Sequence, residues 1–368
     1  MNFFNFGEEF IKLVNIILTN IKLCVIQHGI FSKFFEIGRG CRQGDPASPY
    51  IFLLCVEIMG IMIRQNKDIT GISHFGREYK LMQYADDTTL ILDGTEKSLK
   101  SALTLVNQYA KFSGLRPNYD KTCCVKIGKL KNTDIAFKSN YNILWSQEPF
   151  SLLGITFSAD LKGIIELNYE EKINAIRKLI STWNKRNIST IGRITVVKSL
   201  LLPKLVHLFM SLPNPNHKLL SELDTLFFNY VWNSKRDRVA RKLITKDYKE
   251  GGLKMIELSN FIKSLKLTWI RRLSTSDSSW SHLLKDSLPS SYHFYHCFGI
   301  KYSEKIIPHL NPFWKDVFLA LSEFRNIIDE NIMSTSIWYS DYFKIDKKSI
   351  FIPEWFERGV TYIDDFFK

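Results

Sequence analysis

Two adjacent aspartates, Asp86 and Asp87, stand between two short apolar segments in the stretch Lys80–Leu92. The flanking segments are prone to form β-strands and a tight polar turn separates them, so the stretch predicts a β-hairpin with both carboxylates at its tip. Adjacent carboxylates resist joint ionisation unless a cation neutralises them. Because hard oxygen ligands suit magnesium or manganese, the pattern favours a divalent-metal site.

The same Tyr-x-Asp-Asp pattern occurs a second time, at Tyr362–Asp365, near the end of the sequence. Only three residues follow this copy, too few to make a returning strand, and we expect an exposed helical or frayed end there. An Asp-Asp pair alone is weak evidence. The first copy therefore needs support from elsewhere in the sequence.

The chain is strongly basic. Its 50 Lys and Arg residues against 37 Asp and Glu give a formal net charge of +13, which favours a polyanionic partner, either nucleic acid or an anionic membrane surface. The densest basic cluster has aromatic neighbours, as expected where bases stack and cations hold phosphates. This cluster consists of Lys235, Arg236, Arg238, Arg241, Lys242, Lys246 and Lys249. A second basic set, expected to be an exposed helix face, consists of Arg177, Lys178, Lys185, Arg186, Arg193 and Lys198. A merely solvated face remains the alternative for both sets.

The six cysteines show no Cys-x-x-Cys spacing, so we expect reduced thiols, no zinc site and an intracellular protein, cytoplasmic or nuclear. No secretion signal is evident. The most apolar run, Tyr50–Ile63, is interrupted by Glu57 and is short for a membrane span, so a soluble protein is expected.

The periodicity changes along the chain. Up to about Phe157, helices at Phe10–Ile21, Tyr50–Arg64 and Leu99–Ala110 alternate with predicted strands, which indicates an α+β fold with an antiparallel sheet. The predicted strands are a hairpin over Cys24–Ile37 that turns at His28-Gly29, the acidic hairpin, Asp120–Ile127 and Phe150–Phe157. From about Leu167 the pattern is helical: one helix contains Ile173 to Trp183, a second runs from Ile191 and stops near Pro203, and a third contains Phe261 to Leu273. The Ser-rich stretch Ser274–Tyr292 predicts a loop.

A loop rich in glycine and proline, Gly38–Pro49, leads directly into the helix at Tyr50–Arg64. Its backbone can approach a ligand closely, and a helix N-terminus behind a basic loop suits phosphate. A plain turn before a buried helix would explain its glycines and prolines, but it would not explain Arg39, Arg42 and Gln43 together.

Taken in order, these motifs resemble the reverse transcriptases of non-LTR (LINE-type) retrotransposons, and the resemblance covers nearly the whole chain. Arg39–Pro49 is similar to the template-grip motif of the palm, with Ala47 where the family more often has Leu, and Tyr84–Asp87 is similar to its catalytic hairpin. Ser113–Thr122 resembles the next palm motif, and Leu153–Ile155 the primer grip. Gly192–Lys204 resembles the thumb, and Gly251–Leu253 the segment that follows it.

The resemblance implies a partial palm over residues 1–160, a helical thumb with a basic segment over 161–250, and a helical C-terminal region over 251–368. It implies two-metal nucleotidyl transfer with magnesium or manganese, an RNA template, a DNA primer and deoxynucleoside triphosphates. Asp86 and Asp87 would be metal ligands, and Lys121 would assist the leaving group. The template and nucleotide would meet Arg39, Arg42, Gln43, Gly44, Pro46, Ser48 and Tyr84. Leu153 and Gly154 would grip the primer, and Arg193, Lys198, Lys235, Arg236, Arg238, Arg241 and Lys242 would bind nucleic acid.

One family feature is missing from the sequence. The family has a metal-binding aspartate on a strand before the first helix, whereas the first aspartate here is Asp45. We therefore expect a truncated reverse transcriptase that is inactive alone. The alternatives are a non-catalytic nucleic-acid-binding remnant, an intron-maturase-type RNA-binding relative and, with no anchor or lipidation signal to support it, a membrane-surface protein. The oligomeric state stays open.

Overall fold

The computed structural model describes residues 1, 4–38, 40–131, 143–146, 149–158, 161, 163–233, 236–287, 310–328, 337–338, 343–363 and 365. The chain divides into two compact units, Met1–Gln147 and Glu148–Lys368. Helices and strands mix in the first unit, while helices dominate the second, which agrees with the expected α+β class. The division into palm, thumb and C-terminal region at residues 160 and 250 stays a prediction.

The first unit contains three helices, α1 (Glu8–Leu18), α2 (Ser48–Gln65) and α3 (Glu96–Ser113). Its strands are β1 (Lys22–Leu23), β2 (Ile26–Gln27), β3 (Ile30–Phe31), β4 (Phe35–Glu36), β5 (Ile72–His74), β6 (Arg77–Tyr79), β7 (Leu81–Tyr84), β8 (Asp87–Leu90), β9 (Cys123–Val125) and β10 (Leu144–Ser146). The three predicted helices are therefore confirmed. Helix α3 is capped by the Thr95 side chain and ends at Gly114, whose φ of +75° is the left-handed conformation expected of a C-terminal glycine.

The predicted single antiparallel sheet is wrong for the part of the chain that the structure describes. The strands form separate two-stranded ladders, β1–β4, β2–β3, β5–β6, β7–β8 and β9–β10, and the last of these is parallel. The hairpin at His28-Gly29 is confirmed as β2–β3. The predicted strand at Asp120–Ile127 is shorter, because a 3-10 turn occupies Tyr119–Lys121. Three of these ladders, β2–β3, β5–β6 and β7–β8, join strands across turns of two residues, and closing such a short loop costs little chain entropy.

The core of the first unit lies between α2 and α3. Met59 and Ile63 of α2 pack with Ala102 and Leu105 of α3, and the β7–β8 hairpin adds its inner face to the same cluster. By length and composition alone, α2 could cross a membrane, because it extends beyond the predicted apolar run to 18 residues. Core helices of soluble proteins pass the same test, and four residues of α2 are buried inside this unit.

The second unit begins with the hairpin β11 (Phe150–Leu152) and β12 (Ile155–Phe157). Its helices are α4 (Ile164–Asn184), α5 (Thr190–Val196), α6 (Pro203–Ser211), α7 (His217–Val231), α8 (Arg241–Ile244), α9 (Leu258–Thr275), α10 (Ser279–Ser287), α11 (Pro312–Ile328) and α12 (Pro353–Glu357). A further short hairpin consists of β13 (Lys344–Ile345) and β14 (Lys348–Ser349). The Asn168 side chain of α4 bonds both backbone groups of Thr156, which fixes β12 against the helix.

One prediction about this unit is confirmed and one is wrong. The helix predicted from Ile191 ends next to Pro203: its last turn, Val197–Leu201, is π-helical, and α6 begins at Pro203 after a bend of 48°. Proline is tolerated in the first turn of a helix because the N–H it lacks would have no partner there. The predicted loop at Ser274–Tyr292 contains helix α10, because the helical spacing of its apolar residues outweighs its serines. The end of that loop, residues 288–292, lies outside the described residues.

Candidate active site

Asp86 and Asp87 lie at the tip of the β7–β8 hairpin, as predicted. The two strands pair antiparallel, with Leu81 opposite Leu90 and Tyr84 opposite Asp87, so Ala85 and Asp86 form a two-residue turn. Ala85 has a φ of +50°. A positive φ costs a non-glycine residue on the order of 1–3 kcal/mol and persists only where the surrounding structure determines the backbone.

The inner face of the β7–β8 hairpin packs against the core of the first unit. Leu81 and Leu90 pack against the α2–α3 core, whereas Tyr84 on the outer face is 69% exposed. Gln83 is half-buried, and its Nε2 is buried without a hydrogen-bond partner among the described residues. Its Oε1 lies against Gly60 of α2, where an added Cβ would approach it to 2.9 Å. Gly60 thus leaves room for the amide of the strand that leads to the two aspartates, and no spacing in the sequence signals this contact.

Both carboxylates are exposed, and within the described ranges neither side chain makes a hydrogen bond or an ion pair. Their oxygens are hard donors of the kind that magnesium and manganese prefer. The same part of the chain contains no converging group of three or more His, Cys, Asp or Glu side chains. Two carboxylates on one turn therefore fit part of the donor set of a two-metal centre but do not complete it.

Lys121 makes no hydrogen bond or ion pair with the β7–β8 hairpin among the described residues. It is the last residue of the 3-10 turn Tyr119–Lys121, and the Tyr119 hydroxyl accepts a hydrogen bond from Asn107 Nδ2 of α3 at 2.6 Å. The Lys121 side chain is exposed. No hydrogen bond or ion pair of the described residues joins it to Asp86 or Asp87, so its predicted role in catalysis stays a prediction.

Two hydrogen bonds and an ion pair fix part of the Gly-rich loop before α2. Arg42 Nη2 donates to the carbonyl of Ile17 at 3.1 Å and lies 3.4 Å from Asp45 Oδ2, while Asp45 Oδ1 accepts from the Ala47 N–H. A carboxylate therefore already contacts Arg42 close to the N-terminus of α2. Gln43, Gly44 and Pro46 are exposed and Ser48 is half-buried, and Arg39 lies outside the described residues.

The segment predicted as the primer-grip strand is the β11–β12 hairpin. Leu153 and Gly154 form its turn, with φ values of +49° and +77°. The carbonyl of Leu153 lies 2.9 Å from Nε2 of His207 on α6. His207 therefore fixes this turn, and sequence reasoning missed it because 54 residues separate the two partners.

Arg193 is not part of an exposed basic face, contrary to the prediction. It is 5% exposed, its Nη1 donates to Asn184 Oδ1 at 2.7 Å and to the carbonyl of Tyr230 at 3.0 Å, and its guanidinium lies over the Tyr230 ring. Lys198 is half-buried, and burial together with the charge of Lys254 lowers the pKa of its ammonium.

The densest basic cluster contains both paired and unpaired cations. Arg241 pairs with Asp237 at 2.9 Å and with Asp224 at 3.5 Å. In contrast, five side chains of the cluster are exposed and have no hydrogen-bond or ion-pair partner among the described residues: Arg236, Arg238, Lys242, Lys246 and Lys249. Lys235 lies outside those residues. These five cations are therefore the part of the cluster that is available to a polyanion.

Comparison with known proteins identifies relatives of the first unit and of much of the second. Residues 4–157 match the family "Reverse transcriptase (RNA-dependent DNA polymerase)". The "Transposon TX1 uncharacterized 149 kDa protein" of Xenopus laevis is 23% identical over 280 residues, which cover 75% of this chain and 21% of that protein. The "Retrovirus-related Pol polyprotein from type-2 retrotransposable element R2DM" of Drosophila melanogaster is 27% identical over 277 residues, 72% of this chain and 25% of that protein. The chain thus spans about a fifth to a quarter of the length of these relatives.

Proposed function

Because the chain belongs to the reverse transcriptases of non-LTR retrotransposons, we propose that Asp86 and Asp87 are the catalytic carboxylates of an RNA-directed DNA polymerase. The observation that carries the proposal is their place at the exposed, strained turn of a hairpin seated on α2 and α3. Reverse transcriptases in general copy an RNA template from nucleotides and use divalent metals. The DNA primer and the deoxynucleoside triphosphates are part of our proposal for this chain.

These 368 residues are proposed not to extend a primer by themselves. A two-metal centre needs ligands that bridge both ions, and the described residues bring only the two hairpin carboxylates to this place. Without further fixed ligands, charge that develops in the transition state would be met by mobile water instead of preorganised groups. We therefore derive no reaction step through a metal at this site.

Primer extension tests this proposal. The 368-residue chain should bind a primer on an RNA template without extending it in magnesium or manganese. A longer chain that carries the strand and aspartate of related polymerases ahead of α1 should extend the same primer. Extension by the 368-residue chain alone would contradict the proposed inactivity, and Glu36 and Asp93 would then be the first acids to replace. Both already have partners, since Glu36 pairs with Lys22 at 3.6 Å and Asp93 Oδ1 accepts from Thr95.

A second candidate function is nucleic-acid binding without catalysis. Arg236, Arg238 and Lys242, which have no side-chain partner within the described ranges, favour it. Each phosphate contact releases counterions and adds about 0.9 to the slope of log affinity against log salt. Replacing these three residues by Gln should flatten the slope for a primer–template duplex by up to about 2.7 if all three contact phosphate.

A matched control removes the same charge elsewhere. Its three lysines already pair with carboxylates in the first unit: Lys12, Lys97 and Lys100. Their replacement by Gln should change the slope much less. Equal slopes for the two triple variants would show that the cluster is a solvated face, and binding would then need another surface.

A further inference from the structure

An open cavity of 480 Å³ in the second unit has walls of aromatic rings. Three indoles and a phenyl ring line it, Trp269 of α9, Trp280 of α10, and Phe313 and Trp314 of α11, together with polar groups of Ser211 and Asn311. Its volume falls within the range of about 300–1,000 Å³ that is typical of small-ligand sites. The polymerase motifs do not include any of these rings.

The rings are held in fixed orientations. Trp269 Nε1 donates to the carbonyl of Met210 at 2.9 Å. The Trp269 ring stands at 90° to the Trp280 ring and at 81° to the Trp314 ring, while Trp280 and Trp314 lie nearly parallel at 16°. A flat aromatic ligand that enters such a site pays little ordering entropy, because the walls are already in place.

The polar groups of the cavity are mainly donors. The indole N–H groups of Trp280 and Trp314 have no hydrogen-bond acceptor among the described residues. Both N–H groups are accessible to solvent and therefore to a ligand. The Asn311 Oδ1 accepts from the Trp314 backbone N–H at 3.0 Å, which directs the amide so that its NH₂ remains a donor. A ligand that combines a flat π-system with acceptor atoms on its edge complements these walls.

A cation lies against the aromatic walls. The Arg272 guanidinium lies 5.1 Å from the centre of the Trp269 ring. An apolar peptide would gain nothing from this charge. A nucleobase on a phosphate backbone uses both features, because its base stacks on aromatic rings while a cation attracts its phosphates.

We propose that this cavity, lined by Trp269, Trp280 and Trp314, binds an unstacked base of single-stranded nucleic acid. The proposal rests on the proposed function in one respect, namely that the chain handles nucleic acid. It adds a base-holding site in the second unit, separate in sequence from the polymerase motifs of residues 4–157. The site anchors a single strand through stacking and carries no catalytic group.

The test compares two short oligouridylates that differ only in bases. One is intact and the other has abasic sites, so the phosphates are the same. The 368-residue chain should bind the intact strand about 5- to 150-fold more tightly, the range expected for stacking of one base. Binding should quench tryptophan fluorescence. Trp314→Ala should remove most of the preference, Trp314→Phe should retain part of it, and Trp145→Ala, which removes an exposed tryptophan of the first unit, should leave it unchanged.

A crosslinking experiment covers the case in which Trp314→Ala fails to fold. Iodouridine strands, irradiated on the unaltered chain, should attach to peptides that contain Trp280 or Trp314. Crosslinks confined to other peptides would overturn the proposal. Salt-dependent binding with equal affinity for intact and abasic strands would overturn the base site while leaving the proposed function standing. Absence of any nucleic-acid binding would overturn both. Quenching by an apolar peptide but not by oligouridylate would assign the cavity to a protein partner and overturn the base site.

Discussion

Replacement of Arg193 by Ala separates a structural arginine from a nucleic-acid-binding one. The side chain lies inside the helical core of the second unit and donates to Asn184 Oδ1 and to the Tyr230 carbonyl. Truncation leaves Asn184 Oδ1 without its donor and removes the cation from the Tyr230 ring, 5.0 Å away, while the Tyr230 carbonyl keeps a hydrogen bond from the Asn233 N–H at 3.2 Å. The variant should therefore unfold more easily, and its affinity for nucleic acid should depend on salt as before.

The expected loss follows from the contacts. A buried acceptor left without a donor costs about 1–3 kcal/mol, and Asn184 Oδ1 loses its donor here. Removal of a desolvated charge offsets part of this cost, because burying an ion is itself unfavourable. We expect a net loss of about 1–3 kcal/mol in the free energy of unfolding of the second unit. Arg193→Lys should recover only part of it, since one ammonium cannot reproduce the planar guanidinium stacked on the Tyr230 ring.

Urea unfolding followed by tryptophan fluorescence measures this loss. Seven of the eight tryptophans lie in the second unit, after Trp145, so the signal reports mainly on it. Salt titration of primer–template binding at a temperature where the variant is folded gives the second readout. An unchanged free energy of unfolding, together with a slope that falls by about 0.9, would refute the reasoning and return Arg193 to the phosphate-binding set.

Three further predictions concern single contacts. Burial lowers the pKa of Lys266 to about 8. Between pH 8 and the ordinary value of 10.5 the unfolded chain binds the proton more strongly, so the free energy of unfolding should rise with pH by up to about 3 kcal/mol. Urea titrations at several pH values measure this rise, and Lys266→Met should flatten it. Gly252→Ala would place a Cβ 2.1 Å from a backbone carbonyl oxygen, so thermal unfolding should show a loss of stability of about 1–3 kcal/mol or more. Gly251→Asn changes an open position with a φ of +77°, and its loss of stability should be less than about 1 kcal/mol. His207→Ala should raise hydrogen exchange at the Leu153 turn, because one hydrogen bond worth about 0.5–1.5 kcal/mol is lost; unchanged exchange would show that the strands alone hold the turn.

Features set by neighbouring residues could be predicted from the sequence. The hairpin at Tyr84–Asp87, the turn at His28-Gly29 and the end of α3 at Gly114 all depend on local backbone preferences. For the same reason the place of the two aspartates was predictable. Local backbone preferences do not show which groups lie opposite the two aspartates. The roles of the remaining predicted site residues stay predictions.

Features set by distant contacts could not be predicted. Arg193 has the spacing of an exposed face, but its acceptors lie 9 and 37 residues away, and only the folded core shows that they meet. The π-helical turn at Val197–Leu201 and the start of α6 at Pro203 are not revealed by the helical spacing. The aromatic cavity brings together residues from α9, α10 and α11 whose spacing in the sequence is that of ordinary amphipathic helices.

The matched Asp-Asp motifs offer the most direct measurement of the central claim. In the longer, polymerising chain, Asp86→Asn and Asp364→Asn make the same change in the same Tyr-x-Asp-Asp context, one at the β7–β8 hairpin and one near residue 368. The asparagine keeps the shape of the side chain and removes its charge. We predict that Asp86→Asn abolishes primer extension while primer–template affinity is retained, and that Asp364→Asn extends primers as the unaltered chain does. Full extension by Asp86→Asn, or its loss in Asp364→Asn alone, would contradict the assignment of the catalytic pair to this hairpin.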